Sequence, residues 1–126
     1  MDNQEIRSTL DRYWESTMAL DLDRVDEFYQ DNVVAEFPQS GERILGKHKL
    51  YELRAHYLAN VTFKILKVRG DGNLWVSEIV ITYDGHPVNA VSIMEFRDGK
   101  VAHQRYYFGD PFEPLEWRSQ WVEIAN

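Results

Sequence analysis

The sequence predicts an α+β domain in which helices pack on one face of an antiparallel sheet. Up to about residue 60 the apolar residues recur at helical spacing, and beyond it they alternate with a period of two. The alternating runs are divided by Gly70-Asp71-Gly72-Asn73, Asp84-Gly85-His86-Pro87 and Arg97-Asp98-Gly99-Lys100. Turns that short force neighbouring strands to run antiparallel. Helices first and a meander afterwards is the α+β order. A length of 126 residues, 44% hydrophobic, is one domain, 1–126, large enough for a core of its own.

Residues 4–20 carry Ile6, Leu10, Tyr13, Trp14, Thr17 and Met18 on one stripe, a first amphipathic helix. Asp21 is placed as the N-cap of a short second helix bearing Leu22, Val25, Phe28 and Tyr29. The acids Asp21, Asp23, Asp26, Glu27 and Asp31 are read as a solvated helix face rather than a metal site. Val33 to Phe37 is a strand stopped by Pro38, and Gln39-Ser40-Gly41-Glu42 is a turn. Residues 47–59 form a third helix with Leu50, Leu53, Tyr57 and Leu58 on its stripe. Strands follow over 61–69, 74–84, 88–97 and 101–109. In the tail, Trp117 and Trp121 lie four apart, so residues 115–124 are expected to form a helix docked as a latch.

Twenty-one acids against fourteen bases give a net charge of −7, which repels phosphate backbones and argues against nucleic acid as a partner. No apolar run reaches the ~20 residues of a membrane span. The opening Met1-Asp2-Asn3-Gln4-Glu5 is acidic where a secretory signal would be basic and then apolar, so a cytoplasmic location is expected. There is no cysteine, hence no disulfide or thiolate chemistry. His48, His56, His86 and His103 lack acid partners at ligand spacing, so neither a metal nor another cofactor is expected.

Short helices on a curved sheet leave a gap, and Tyr13, Trp14, Phe28, Phe37, Tyr57, Trp75 and Phe108 are available to line it. The same residues could equally fill a core. Two blocks carry a family resemblance. One is Tyr13 through Pro38, with Ala19-Leu20-Asp21-Leu22-Asp23, Phe28-Tyr29, Asp31-Asn32 and Glu36-Phe37-Pro38. The other is Arg97-Asp98-Gly99-Lys100-Val101 followed by Arg105-Tyr106-Tyr107-Phe108. Together with the order of elements they resemble the NTF2-like superfamily, closest to SnoaL-like polyketide cyclases and ketosteroid isomerases.

That resemblance implies a cone with a conical pocket, a homodimer through the outer sheet face, and a small, mostly apolar carbonyl or aromatic ligand. The family's reactions are acid–base isomerisations and cyclisations. In the isomerases a helix-1 tyrosine and a carboxylic acid hold an oxyanion, and an aspartate before a proline is the base. Tyr13 matches the tyrosine. The base position falls on Phe37, and the second acid falls near Ser92 or Met94. The histidine and aspartate of the cyclases resemble Gln104 and Tyr106, which share a strand face with Phe108. The Asp-Arg-Asp set of limonene epoxide hydrolases is matched only by Arg105.

The residues thus select Tyr13 and Tyr106 as phenols polarising a ligand oxygen in a low-dielectric gap. His103 is the candidate base if its strand side is concave, with Arg105 as an anion clamp; the competing and preferred reading is an outward-facing pair. Tyr13 is expected to reach a cavity bordered by Phe37, Trp75, Tyr106 and Phe108. The ligand contacts are expected from Trp14, Phe28, Phe37, Tyr57, Trp75, Ser92, Met94, Gln104 and Phe108. No family catalytic set is complete, so a carrier or sensor that has lost the base stands beside the enzyme reading.

Overall fold

The computed structural model describes residues 1–57 and 60–125; the side chain of Tyr57, and with it the expected ligand contact there, lies outside the described residues, as do Leu58 and Ala59. Helix α1 spans Asn3–Met18 and is capped by Asp2, whose side chain accepts from the Glu5 N–H at 2.8 Å. Its stripe buries Ile6, Leu10, Tyr13, Trp14 and Thr17. The helix closes with the Leu20 N–H bonded to the Thr17 carbonyl and the Asp21 N–H to the Ser16 carbonyl. This is a Schellman end, and it places Leu20 at φ 57°, a left-handed conformation that costs a leucine about 1–2 kcal/mol. Asp21 then caps α2 (Leu22–Glu27), accepting from the Arg24 N–H.

Strand β1 (Tyr29–Phe37) and β2 (Glu42–Leu45) form a hairpin, and α3 (Lys47–Tyr57) follows. The meander is β3 (Val61–Asp71), β4 (Leu74–Tyr83), β5 (His86–Arg97) and β6 (Lys100–Gly109). Asp84-Gly85 and Asp98-Gly99 all take positive φ, the geometry of two-residue hairpin turns that match strand twist. The six strands form one curved, unclosed sheet in the order β2-β1-β6-β5-β4-β3. The helices cover its inner face, and the Trp14 indole N–H donates to the Ser77 hydroxyl at 2.9 Å across that interface.

Three local expectations change. The sheet is not wholly antiparallel: β1 pairs parallel with β6, Ala35 opposite Gln104. Tyr29 belongs to β1 rather than to the second helix, because α2 stops at Glu27 and the chain turns at Phe28. The tail is not a docked helix. Glu116–Trp121 is a 3₁₀ turn, in which residues four apart diverge by about 120°, and Trp117 and Trp121 are 72% and 71% exposed.

Candidate functional site

A cavity opens between the ends of α1 and α2, helix α3 and the sheet. Its apolar walls include Leu20, Val25, Leu50, Leu53, Phe63 and Ile81. Phe37, Tyr106 and Phe108 form one aromatic wall, with the Tyr106 and Phe108 rings 5.6 Å apart and nearly parallel. Strand alternation on β1 and β6 turns these three rings inward together. The empty space is about 570 Å³ counting the open mouth, and the centre of a water molecule can occupy about 40 Å³ of it. The cavity is therefore a narrow slot. Polar groups on the wall are Thr17, Tyr83, Tyr106 and Arg54. Among the described residues, no Asp, Glu or His lines it.

Arg54 is the feature that sequence reasoning passed over. It lies on α3, four residues after Leu50 and therefore on the apolar stripe, and is only 9% exposed. Its Nη2 donates to the Tyr13 hydroxyl at 2.9 Å and to the Tyr29 hydroxyl at 2.7 Å. The two phenol oxygens are 2.7 Å apart. Tyr29 donates to Gln104 Oε1 at 2.6 Å, so Tyr13 donates to Tyr29. Gln104 Nε2 in turn donates to the Ser92 hydroxyl at 3.0 Å. The chain of hydrogen bonds runs from Arg54 Nη2 through Tyr13, Tyr29 and Gln104 to Ser92 and holds that corner of the Arg54 head in place.

The electrostatics follow from that arrangement. Burial alone would push the Tyr13 phenol up, but the Arg54 charge and the hydrogen bonding with Tyr29, Gln104 and Arg54 outweigh it, so Tyr13 ionises below the ordinary tyrosine range. Tyr29 moves the other way: burial raises it, and the adjacent Tyr13 adds to that rise against the opposing pull of Arg54. For Arg54, burial works against the charge, yet the neighbouring phenols Tyr13, Tyr29 and Tyr106 hold it well above the usual value. Arg54 is a permanent cation.

The structure sends the sequence-selected residues to different places. Phe37, Tyr106 and Phe108 line the cavity. Tyr13, Gln104 and Ser92 meet in the network, one layer behind Arg54; the Tyr13 hydroxyl is bonded into the core instead of reaching the cavity as expected. Trp14, Trp75 and Met94 are core residues, with the Trp75 indole N–H donating to the Gly72 carbonyl. Phe28 packs edge-on against Tyr13, centroids 5.8 Å apart. His103 leaves the sheet on the face opposite Gln104, between Glu36 at 3.3 Å and Glu95 at 3.4 Å. Arg105 pairs with the same Glu36 at 3.0 Å. These outward pairs hold Glu36 below the usual carboxylate range through its hydrogen bonds to Arg105 and His103. The structure therefore places His103 away from the cavity, and it cannot serve as a base there.

Residues 10–104 match the SnoaL-like domain family. An NTF-2 like protein of unknown function from Burkholderia xenovorans LB400 is 45% identical, covers 100% of this chain and 99% of its own, and superposes with a TM-score of 0.92. A protein assigned provisionally as a ketosteroid isomerase, from Kribbella flavida DSM 17836, is 20% identical over 98% of this chain and 91% of its own, with a TM-score of 0.89. An LEH-like epoxide hydrolase from M. tuberculosis is 23% identical over 83% of each chain, with a TM-score of 0.69. The last two likenesses establish the fold alone. No curated protein matches the chain, and among the described residues no helix is long and apolar enough to cross a membrane. With its helices laid on a curved six-stranded sheet and a slot between them, the chain belongs to the SnoaL-like family of the NTF2-like superfamily.

Proposed function

We propose that the protein binds a small, mostly apolar carbonyl or aromatic compound in the slot, as a carrier or sensor, with a ligand oxygen against Arg54. The observation that carries this reading is a fixed, buried guanidinium at the end of a wall otherwise made of hydrocarbon, aromatic rings and hydroxyl groups. Isomerase- or cyclase-type turnover needs a proton acceptor beside the ligand, and among the described residues the wall supplies no carboxylate or imidazole. The lowered Tyr13 phenol favours acid–base chemistry as a second reading, with proton movement relayed through the hydroxyl pair.

A thermal-shift screen with aromatic ketones, quinones and steroids tests the binding reading. A compound at a hundred times its dissociation constant is expected to raise Tm by about 10 °C. Leu53→Trp, which fills the slot, abolishes that rise. If no compound class shifts the wild-type protein, the slot is not a site for such ligands. Incubating a hit in heavy water separates the two readings, since only acid–base turnover exchanges protons next to its carbonyl.

The same proposal includes a second copy of the chain on the outer sheet face. Leu66, Leu74 and Tyr107 are exposed there, next to half-buried Val76, Val80, Val91 and Ile93. Strands apolar on both faces need cover on both. Sedimentation is expected to give the mass of two chains, and Val91→Lys to give the mass of one; a wild-type monomer contradicts the dimer.

A further inference from the structure

Resting on the slot as a ligand site, we infer that its natural occupant is a slender apolar carboxylic acid, bound as the anion with its carboxylate on Arg54. The charge pattern of the chain points to an anion. Where a lysine or arginine outside the core has an ion partner, that partner is a carboxylate: Arg7 pairs with Asp11, Lys47 with Asp26 and Asp31, and Arg105 with Glu36. Arg54 is the buried cation, and no carboxylate among the described residues pairs with it. In a chain with 21 acidic side chains, that leaves the most costly charge on phenol oxygens rather than on a carboxylate.

The geometry is suited to a carboxylate. Both hydrogen bonds to the phenols leave from Nη2, which pins one corner of the planar guanidinium, and the residue borders the cavity. A carboxylate there brings a full countercharge and two acceptor oxygens, where a ketone or amide oxygen brings only a dipole. The remaining wall accepts the hydrocarbon: Leu20, Leu53, Phe63 and Ile81 on one side, Phe37 and Phe108 on the other. The net charge of −7 gives an organic acid no help from outside, so its selectivity must arise at Arg54. The rival countercharge is internal. Tyr13, if ionised at neutral pH, would already neutralise Arg54, and a ligand charge would then add nothing.

Titration calorimetry at pH 7.5 separates these cases, using sodium octanoate and sodium 4-phenylbutanoate against octanamide and 4-phenylbutanamide. Each acid is expected to bind about 10- to 100-fold more tightly than its amide. In Arg54→Met, acid and amide are expected to converge to within about threefold. Should that variant fail to fold, the wild-type comparison decides by itself. Equal affinities of acid and amide in the wild type overturn the inference while leaving the slot as a site for neutral compounds. Failure of acids, amides and all the screened ketones, quinones and steroids to bind removes the slot reading itself.

Discussion

Trp14→Ala is expected to destabilise the fold by about 3–5 kcal/mol, a large share of the ~5–15 kcal/mol that holds a domain of this size together. The indole is 2% exposed and sits at the centre of the interface between α1 and the sheet. Its ring meets Tyr13 edge-on with centroids 4.8 Å apart. Alanine would remove that contact and leave a void that the close-packed strands cannot refill. It would also strand the Ser77 hydroxyl, 1% exposed and the acceptor of the indole N–H. Urea unfolding monitored by circular dichroism should show the midpoint falling with little change in slope. Trp14→Phe should cost less, because it keeps most of the aromatic volume and loses mainly the hydrogen bond to Ser77. A wild-type midpoint in Trp14→Ala would mean that α1 is not clamped to the sheet at this point.

The contrast between what the sequence shows and what it hides is one of range. The stripe of α1, the Asp21 cap and the Asp-Gly turns are legible because each depends on residues within one or two turns of chain. The parallel pairing of β1 with β6 brings Glu36 beside Arg105, a meeting that no local pattern encodes. Tyr106 and Phe108 share a face by strand alternation alone, and Phe37 joined them only through the family's base position. Tyr29 was beyond that rule, because the register of β1 shifts between Tyr29 and Val34 and leaves Asp31 exposed between two buried positions. Arg54 gave a weaker signal: a charge on the apolar stripe of α3, at a spacing where helices more often let an arginine reach out to water. Its burial is decided by Tyr13 and Tyr29, 41 and 25 residues away in sequence. The tail misled because a spacing of four has meaning only in an α-helix, and the chain there winds as 3₁₀.

Tyr29→Phe should act on both the fold and the site. It removes one oxygen that accepts from Arg54 at 2.7 Å, contacts the Tyr13 hydroxyl at 2.7 Å and donates to Gln104 at 2.6 Å. The ring still fits, so packing is kept; the loss is electrostatic. Gln104 Oε1 becomes a buried acceptor without its donor, and the guanidinium keeps one of its two phenol acceptors. A charged hydrogen bond together with a stranded buried acceptor puts the cost at about 2–4 kcal/mol. The sign of the pH dependence is also fixed. Because Tyr13 ionises below the ordinary tyrosine range when folded, its contribution is fully present above the unfolded value and is lost as pH falls through the folded one. Tyr29, raised when folded, favours its neutral form and loses its contribution as pH climbs through that higher value. Ultraviolet titration of the seven tyrosines should therefore show Tyr13 ionising early and Tyr29 late, alongside Tyr51, which its hydrogen bond to Asp23 also raises. In Tyr29→Phe one late phenol should be lost, leaving Tyr51, while Tyr13, deprived of its Tyr29 hydrogen bond, should move back toward the usual range. Arg54→Met should abolish the early ionisation altogether, because the guanidinium charge is the largest influence opposing burial at Tyr13. An early phenol that persists in Arg54→Met would locate the cause elsewhere and break the link between the hydroxyl pair and the cation at the slot.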